Sequence, residues 1–156
     1  MRFILTLALG VCALASPARA DVFSFLDTGH ITQTGPRELY VTPDDDGLYY
    51  IFADVNGARV RFVIDTGSDD VVLTRKDAQR AGIDVANLKF SEDYDAASGS
   101  GVEADAMVQR ITLGPLSFSN LAVTVEEEGG ASLLGMSFLH RMKSVEIRDN
   151  RLYLRW

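Results

Sequence analysis

Apolar residues fall in short runs rich in β-branched and aromatic side chains, and turn-forming pairs separate the runs. Residues 48–55 form such a run, and Asn56-Gly57 follows with the two positive-φ residues that a tight hairpin requires. Residues 59–64 return as the partner strand, and Val71-Val72-Leu73 reads as a third, very short one. Residues 107–113 and 116–125 read as strands joined at Gly114-Pro115, and Glu126-Glu127-Glu128-Gly129-Gly130 reads as an exposed charged loop. Val145-Glu146-Ile147 and Leu152-Tyr153-Leu154 flank an Asp149-Asn150 turn at the end of the chain. Two helices break the strand pattern. Thr74-Arg75-Lys76-Asp77 opens one like a capping box, with Gly82 placed to close it, and a second is expected over residues 136–141. Short strands with tight turns predict an all-β fold, a closed β-barrel with one or two short helices. Neither a second domain nor an internal repeat is visible.

The first twenty residues have a different character. Met1-Arg2 is a positive start, residues 3–15 are almost unbroken apolar sequence, and Ala18-Arg19-Ala20 ends the segment with small residues two apart. This predicts a signal peptide over residues 1–20, cleaved after Ala20. The apolar run falls short of the ~20 residues of a membrane span, although an uncleaved leader would still act as an anchor. Cys12 lies inside this segment, so the mature chain carries no cysteine and no disulfide. The expected destination is an exported compartment, most simply a bacterial periplasm. Residues 21–43 show no sustained period and contain Thr-Gly and Gly-Pro breakers, which predicts a loosely ordered N-terminal arm ahead of a folded domain over residues 44–156.

Composition narrows the function. The 156 residues are 47% hydrophobic and 24% charged, as in a single globular domain. A net charge of −7 argues against a nucleic-acid partner. One cysteine and two histidines, His30 and His140, exclude a thiolate zinc site, and neither histidine is expected to be catalytic. Asp44-Asp45-Asp46-Gly47 lacks the alternate ligand spacing and closing glutamate of a calcium loop, so it reads as a solvated turn. No metal or cofactor is expected. Nucleophile elbows, zinc-protease helices, Walker loops and dinucleotide fingerprints are all missing.

The segment Phe62-Val63-Ile64-Asp65-Thr66-Gly67-Ser68 places a carboxylate at the end of an apolar strand, just before a glycine turn. Val71-Val72-Leu73 follows closely, and Leu133-Leu134-Gly135 comes further on. With these motifs, residues 48–156 resemble the retropepsin-like aspartic proteases, in particular their bacterial exported branch built as a single lobe. The resemblance implies a catalytic Asp65 supported by Thr66, Gly67 and Ser68. Thr66 would bond across a dimer axis, and Ser68 would donate to the outer carboxyl oxygen. Leu133, Leu134 and Gly135 would pass behind the catalytic turn. Residues 94–102, including Ala97, Ser98, Gly99, Ser100 and Gly101, occupy the place of the substrate-covering flap.

The chemistry accounts for these residue types. One carboxylate takes a proton from water while a neighbouring carboxylic acid polarises the peptide carbonyl, and two such groups in contact share a single proton. Gly67 allows the backbone to turn its N–H toward the carboxylate. The mechanism needs two aspartates. Asp27-Thr28-Gly29 is no second motif, because it lies only 38 residues before Asp65 and no apolar strand follows it. The second aspartate must then come from another copy, which makes a two-fold homodimer. The expected substrate is an extended protein segment cleaved between bulky apolar residues. A membrane would be a partner only through an uncleaved leader. A barrel of the same fold that binds peptides without cleaving them is the alternative. The pair Asp69-Asp70 adds negative charge beside the motif.

Overall fold

A computed structural model describes residues 30–96 and 99–156. The expected leader, the first part of the arm with Asp27-Thr28-Gly29, and the flap residues Ala97 and Ser98 lie outside the described residues. The elements in chain order are β1 (Ile31–Gly35), β2 (Glu38–Val41), β3 (Tyr50–Val55), β4 (Ala58–Ile64), β5 (Val71–Thr74), α1 (Arg75–Arg80), β6 (Glu92–Ala96), β7 (Gly99–Leu113), β8 (Leu116–Glu126), β9 (Ser132–Leu134), α2 (Met136–Leu139), β10 (Ser144–Arg148) and β11 (Arg151–Arg155). Among the described residues no helix is long and apolar enough to cross a membrane.

Asn56 and Gly57 adopt φ values of 51° and 91°, so the β3–β4 hairpin turns where the sequence predicts. Seven strands follow the order β3-β4-β9-β5-β8-β7-β6, and a further pairing of β3 with β7 closes six of them into a barrel. β6 stays outside the ring as the hairpin partner of β7. The closing seam is short, with Asp54 opposite Thr112 and Val55 opposite Ile111. Asn56 seals it. Its backbone N–H donates to the Arg110 carbonyl at 3.0 Å, its Oδ1 accepts the Arg110 N–H at 3.0 Å, and its Nδ2 donates to the Ala81 carbonyl at 3.0 Å.

The barrel is filled by inward residues of every strand, among them Ile51, Val55, Phe62, Leu73, Ile111, Val125 and Leu134, all fully buried. Each such side chain contributes roughly 1.5–3 kcal/mol over its exposed state. Phe138 of α2 plugs one side, edge-on to Phe118 with ring centroids 5.2 Å apart. At α1, Thr74 caps as expected, accepting the Asp77 N–H at 3.2 Å, and Gly82 leaves the helix at φ 77°. The Asp77 carboxylate also accepts the buried Ser132 hydroxyl at 2.8 Å, which ties α1 to β9.

Three expectations need correction. The arm expected to be loose over residues 21–43 is a β-hairpin from Ile31 to Val41, and it belongs to a second sheet ordered β1-β2-β11-β10. Leu39 and Val41 are buried, as are Leu152 and Leu154 on the paired β11, and Arg155 forks onto Glu38 Oε2 with bonds of 3.0 and 2.6 Å. These partners lie more than a hundred positions apart in sequence, and two inward residues are too few to set a visible period. Second, β7 starts at Gly99 and not near residue 107, because Ala104 and Ala106 face inward and small side chains give a weak apolar signal. Third, Glu126 is not part of an exposed loop. It is the last residue of β8 and is 9% exposed.

Candidate active site

The parallel pairing of β4 with β9 and the antiparallel pairing of β9 with β5 hold Asp65 at the end of β4. Its backbone N–H donates to the Leu134 carbonyl at 3.3 Å. The chain then turns sharply, and the Gly67 N–H donates to Asp65 Oδ1 at 2.8 Å, fixing the carboxylate. A methyl group on Gly67 would stand 3.2 Å from that oxygen and crowd it. The Ser68 hydroxyl does not serve the carboxylate as expected. It donates to the Asp70 carbonyl at 3.0 Å, bracing the turn from below. Thr66 is exposed at the rim of an apolar recess of 410 Å³ formed with Met136, Leu139, His140, Met142 and Val145.

Leu134 and Gly135 run behind the turn, Leu134 fully buried between Ile64 and Val71, whereas Leu133 faces the cleft. Beyond them the first peptide groups of α2, which have no partner inside the helix, donate to the loop. The Met136 N–H bonds the Ser68 carbonyl at 2.8 Å, and the Ser137 N–H bonds the Asp69 carbonyl at 2.7 Å. The Ser137 hydroxyl in turn accepts the Val71 N–H at 3.1 Å. Only glycine fits at 135, since a Cβ there would overlap the Asp70 carbonyl oxygen. Of the histidines, His140 is the C-terminal cap of α2 and His30 lies against Thr42, 3.3 Å from its hydroxyl.

Asp65 opens onto a cleft of 520 Å³. Val72 and Leu133 give the part beside the aspartate an apolar surface, and Asp69 and Asp70 flank it. Thr124, paired with Val72, continues this lining toward Tyr94, Glu103 and Glu126, and of these four the sequence reading places only Tyr94, in the flap segment. Tyr94 and Gly101 are partners in the β6–β7 hairpin, where the flap is expected, and the Tyr94 ring lies within 2.9 Å of where a Cβ on Gly101 would sit. That hairpin carries Gly99 and Ser100, both exposed, beside the cleft. Burial raises the Glu126 carboxyl above the ordinary glutamate range, and Glu103 adds to the shift. Glu103 is raised by burial, then by Glu92, Asp70 and Asp105. The Tyr94 phenol is raised by burial, then by Glu126, Glu103 and Glu128. One sign was available in the sequence: the alternation Glu103-Ala104-Asp105-Ala106, matched across the sheet by Val123-Thr124-Val125-Glu126.

Chemically, the turn offers one firmly held carboxylate, a suitable general base, at a cleft of 520 Å³. Known proteins point the same way. A family model described as "gag-polyprotein putative aspartyl protease" matches residues 51–141. The crystal structure of a retropepsin-like aspartic protease from Rickettsia conorii is 35% identical, with a TM-score of 0.68 over 76% of this chain and 90% of that one. The EIAV protease complexed with the inhibitor HBY-793 shares the fold at a TM-score of 0.53 and 18% identity, over 65% of this chain and 93% of its own. Among curated proteins, the "Uncharacterized protein in cobV 5'region" of Sinorhizobium sp is 35% identical over 78% of this chain and 53% of its own length. "Uncharacterized protein RP867" of Rickettsia prowazekii is 34% identical over 86% of this chain and 58% of its own. The chain thus spans a little over half the length of these curated relatives. Its Asp-Thr-Gly turn, its six-stranded barrel and these likenesses agree: the chain belongs to the retropepsin-like aspartic proteases.

Proposed function

We propose that the protein is an exported aspartic endopeptidase that works as a homodimer, with Asp65 of each copy forming one proton-sharing pair around the hydrolytic water. The observation that carries this reading is the Asp65 carboxylate, pinned by the Gly67 amide at 2.8 Å on the floor of a peptide-sized cleft. The ionised member of the pair takes a proton from water as its oxygen attacks the peptide carbonyl. The protonated member donates to the carbonyl oxygen, and collapse of the resulting diol returns a proton to the leaving nitrogen. Among the described residues a single Asp-Thr-Gly turn is present, so the second carboxyl belongs to a second copy.

The surface beside the turn suits that partner. Thr66 borders an apolar recess of Met136, Leu139, Met142 and Val145, and Ile147 nearby on the edge strand β10 is 61% exposed. A self-complementary patch of this kind fits an isologous contact. Export through residues 1–20 is part of the same proposal.

The test pairs activity with assembly. Asp65→Asn is expected to lower turnover of a peptide substrate by ~10³-fold or more while leaving the fold intact. A statine-type peptide is expected to inhibit the wild-type protein and to favour the dimer in sedimentation. Cleavage by Asp65→Asn at the wild-type rate sinks the catalytic reading. A strictly monomeric protein, with or without the inhibitor, sinks the shared dyad and favours a barrel that only binds peptides.

A further inference from the structure

Beyond Val72 and Leu133 the cleft changes character. Glu103 and Glu126 are directly paired across β7 and β8. Their neighbours Ala104 and Val125 point into the core, so both carboxyls share the outer, cleft-facing side of the sheet. Like charges placed opposite each other weaken a sheet. Neither glutamate joins an ion pair among the described residues. Glu126 is only 9% exposed. Thr124, two residues before it on the same face, is 6% exposed, and its Oγ1 has no hydrogen-bond partner.

A buried Glu126 and a half-buried Glu103 without a cation, and a buried hydroxyl without a partner, each cost free energy. Together they describe a wall that is completed by a group bringing positive charge and several N–H donors. Among the described residues no lysine or arginine lines this cleft or the hollow that adjoins it at Glu127 and Glu128. Among the described residues no three acidic or histidine groups are gathered closely enough to hold a metal ion. The fitting cation is therefore a long organic one.

The geometry points to a cation-accepting subsite made by Glu103, Glu126 and Thr124, which receives a lysine or arginine side chain of the substrate near the scissile bond. This deepens the endopeptidase reading and rests on it. Apolar substrate residues lie over Val72 and Leu133, and the stem of the basic residue crosses the Tyr94 ring. Its ammonium or guanidinium then donates to the two carboxyls and to the Thr124 hydroxyl, with the aromatic face adding attraction. Substrates are thus basic as well as extended, matching the excess of acid around the site.

The experiment moves one lysine through successive positions on either side of an apolar cleavage pair, with norleucine as the isosteric reference. Turnover is read with wild-type protein, and affinity is read by calorimetry with Asp65→Asn. One position is expected to show lysine preferred over norleucine by about tenfold in kcat/KM at neutral pH, mainly through KM, with a similar ratio in affinity. In Glu103→Gln/Glu126→Gln that ratio is expected to fall to within about twofold, and Thr124→Val lowers it by a smaller factor. Equal use of lysine and norleucine at every position overturns the subsite, as does a preference that survives the double substitution. Cleavage of no peptide at all would instead overturn the endopeptidase reading, and the affinities for Asp65→Asn would still decide the subsite.

Discussion

Gly135→Ala tests whether the catalytic turn is held in place from behind. The backbone at this position, φ −88° and ψ −169°, is open to alanine, so any effect is steric. The added methyl would overlap the Asp70 carbonyl oxygen and stand 2.6 Å from the Ser68 carbonyl oxygen, both backbone atoms that cannot rotate away. Ordinary contact lies about 1 Å further out, so either the Ser68–Asp70 loop or the start of α2 must move. That displacement breaks or stretches the bonds from Met136 N–H to Ser68, 2.8 Å, and from Ser137 N–H to Asp69, 2.7 Å. Two such bonds contribute about 1 kcal/mol each, overpacking adds about 1–3, and the stiffer unfolded chain returns about 0.4–1. The expected net loss is roughly 2–4 kcal/mol, read as a lower urea midpoint at unchanged slope. Gly130→Ala, where a Cβ meets nothing within 4 Å, is the control and is expected to stay close to wild type. A Gly135→Ala protein within about 0.5 kcal/mol of wild type would refute the reasoning.

Two further substitutions test contacts elsewhere in the barrel. Ser132→Ala removes a hydroxyl, buried to 1% exposure, that donates to Asp77 at 2.8 Å and accepts the Thr74 N–H at 3.1 Å. It should cost about 1–3 kcal/mol in urea unfolding, and unchanged stability would show that the α1–β9 tie is idle. Glu103 and Glu126 both have raised carboxyl values in the folded state, so the stability they contribute is fully present below the ordinary glutamate range. It is lost as pH rises through their raised values. Urea midpoints of the wild type should fall over that window relative to Glu126→Gln, and parallel profiles of the two proteins would contradict the assigned burial.

Legibility followed sequence distance. The Asn56-Gly57 hairpin, the Thr74 cap and the Asp65-Thr66-Gly67 turn could be read because each is complete within a few residues, and Leu133-Leu134-Gly135 because its small residue ends an apolar pair. The hairpin of β1 and β2 could not be read, since its inward residues find their partners at Leu152 and Leu154. The acidic wall was hidden for a related reason. Asp70, Glu103 and Glu126 come from the loop before β5, from β7 and from β8, and only the pairing of β4, β9, β5, β8 and β7 gathers them beside Asp65. Glu126 was obscured further by standing first in a run of three glutamates, which as a pattern reads as solvated surface. The Ser68 hydroxyl was misassigned because its choice between the Asp65 carboxylate and the Asp70 carbonyl depends on a rotamer.

The seam where β3 meets β7 makes the barrel unequally secured around its circumference. Along β7 and β8 the ladder runs from Glu103 opposite Glu126 to Leu113 opposite Leu116, whereas the seam has only Asp54–Thr112, Val55–Ile111 and the Asn56 amide. The β5–β9 pairing is equally short, with only Val71–Leu134 and Val72–Leu133, and local opening starts where the fewest bonds must break, so these two joints are where the cylinder gives. The two joints divide the ring into β3-β4-β9, which carries Asp65 at the end of β4, and β5-β8-β7, which carries Glu103 and Glu126. The reacting carboxylate thus rides on one half of the shell and the carboxyls of the acidic wall on the other, so breathing at the joints changes the spacing between them.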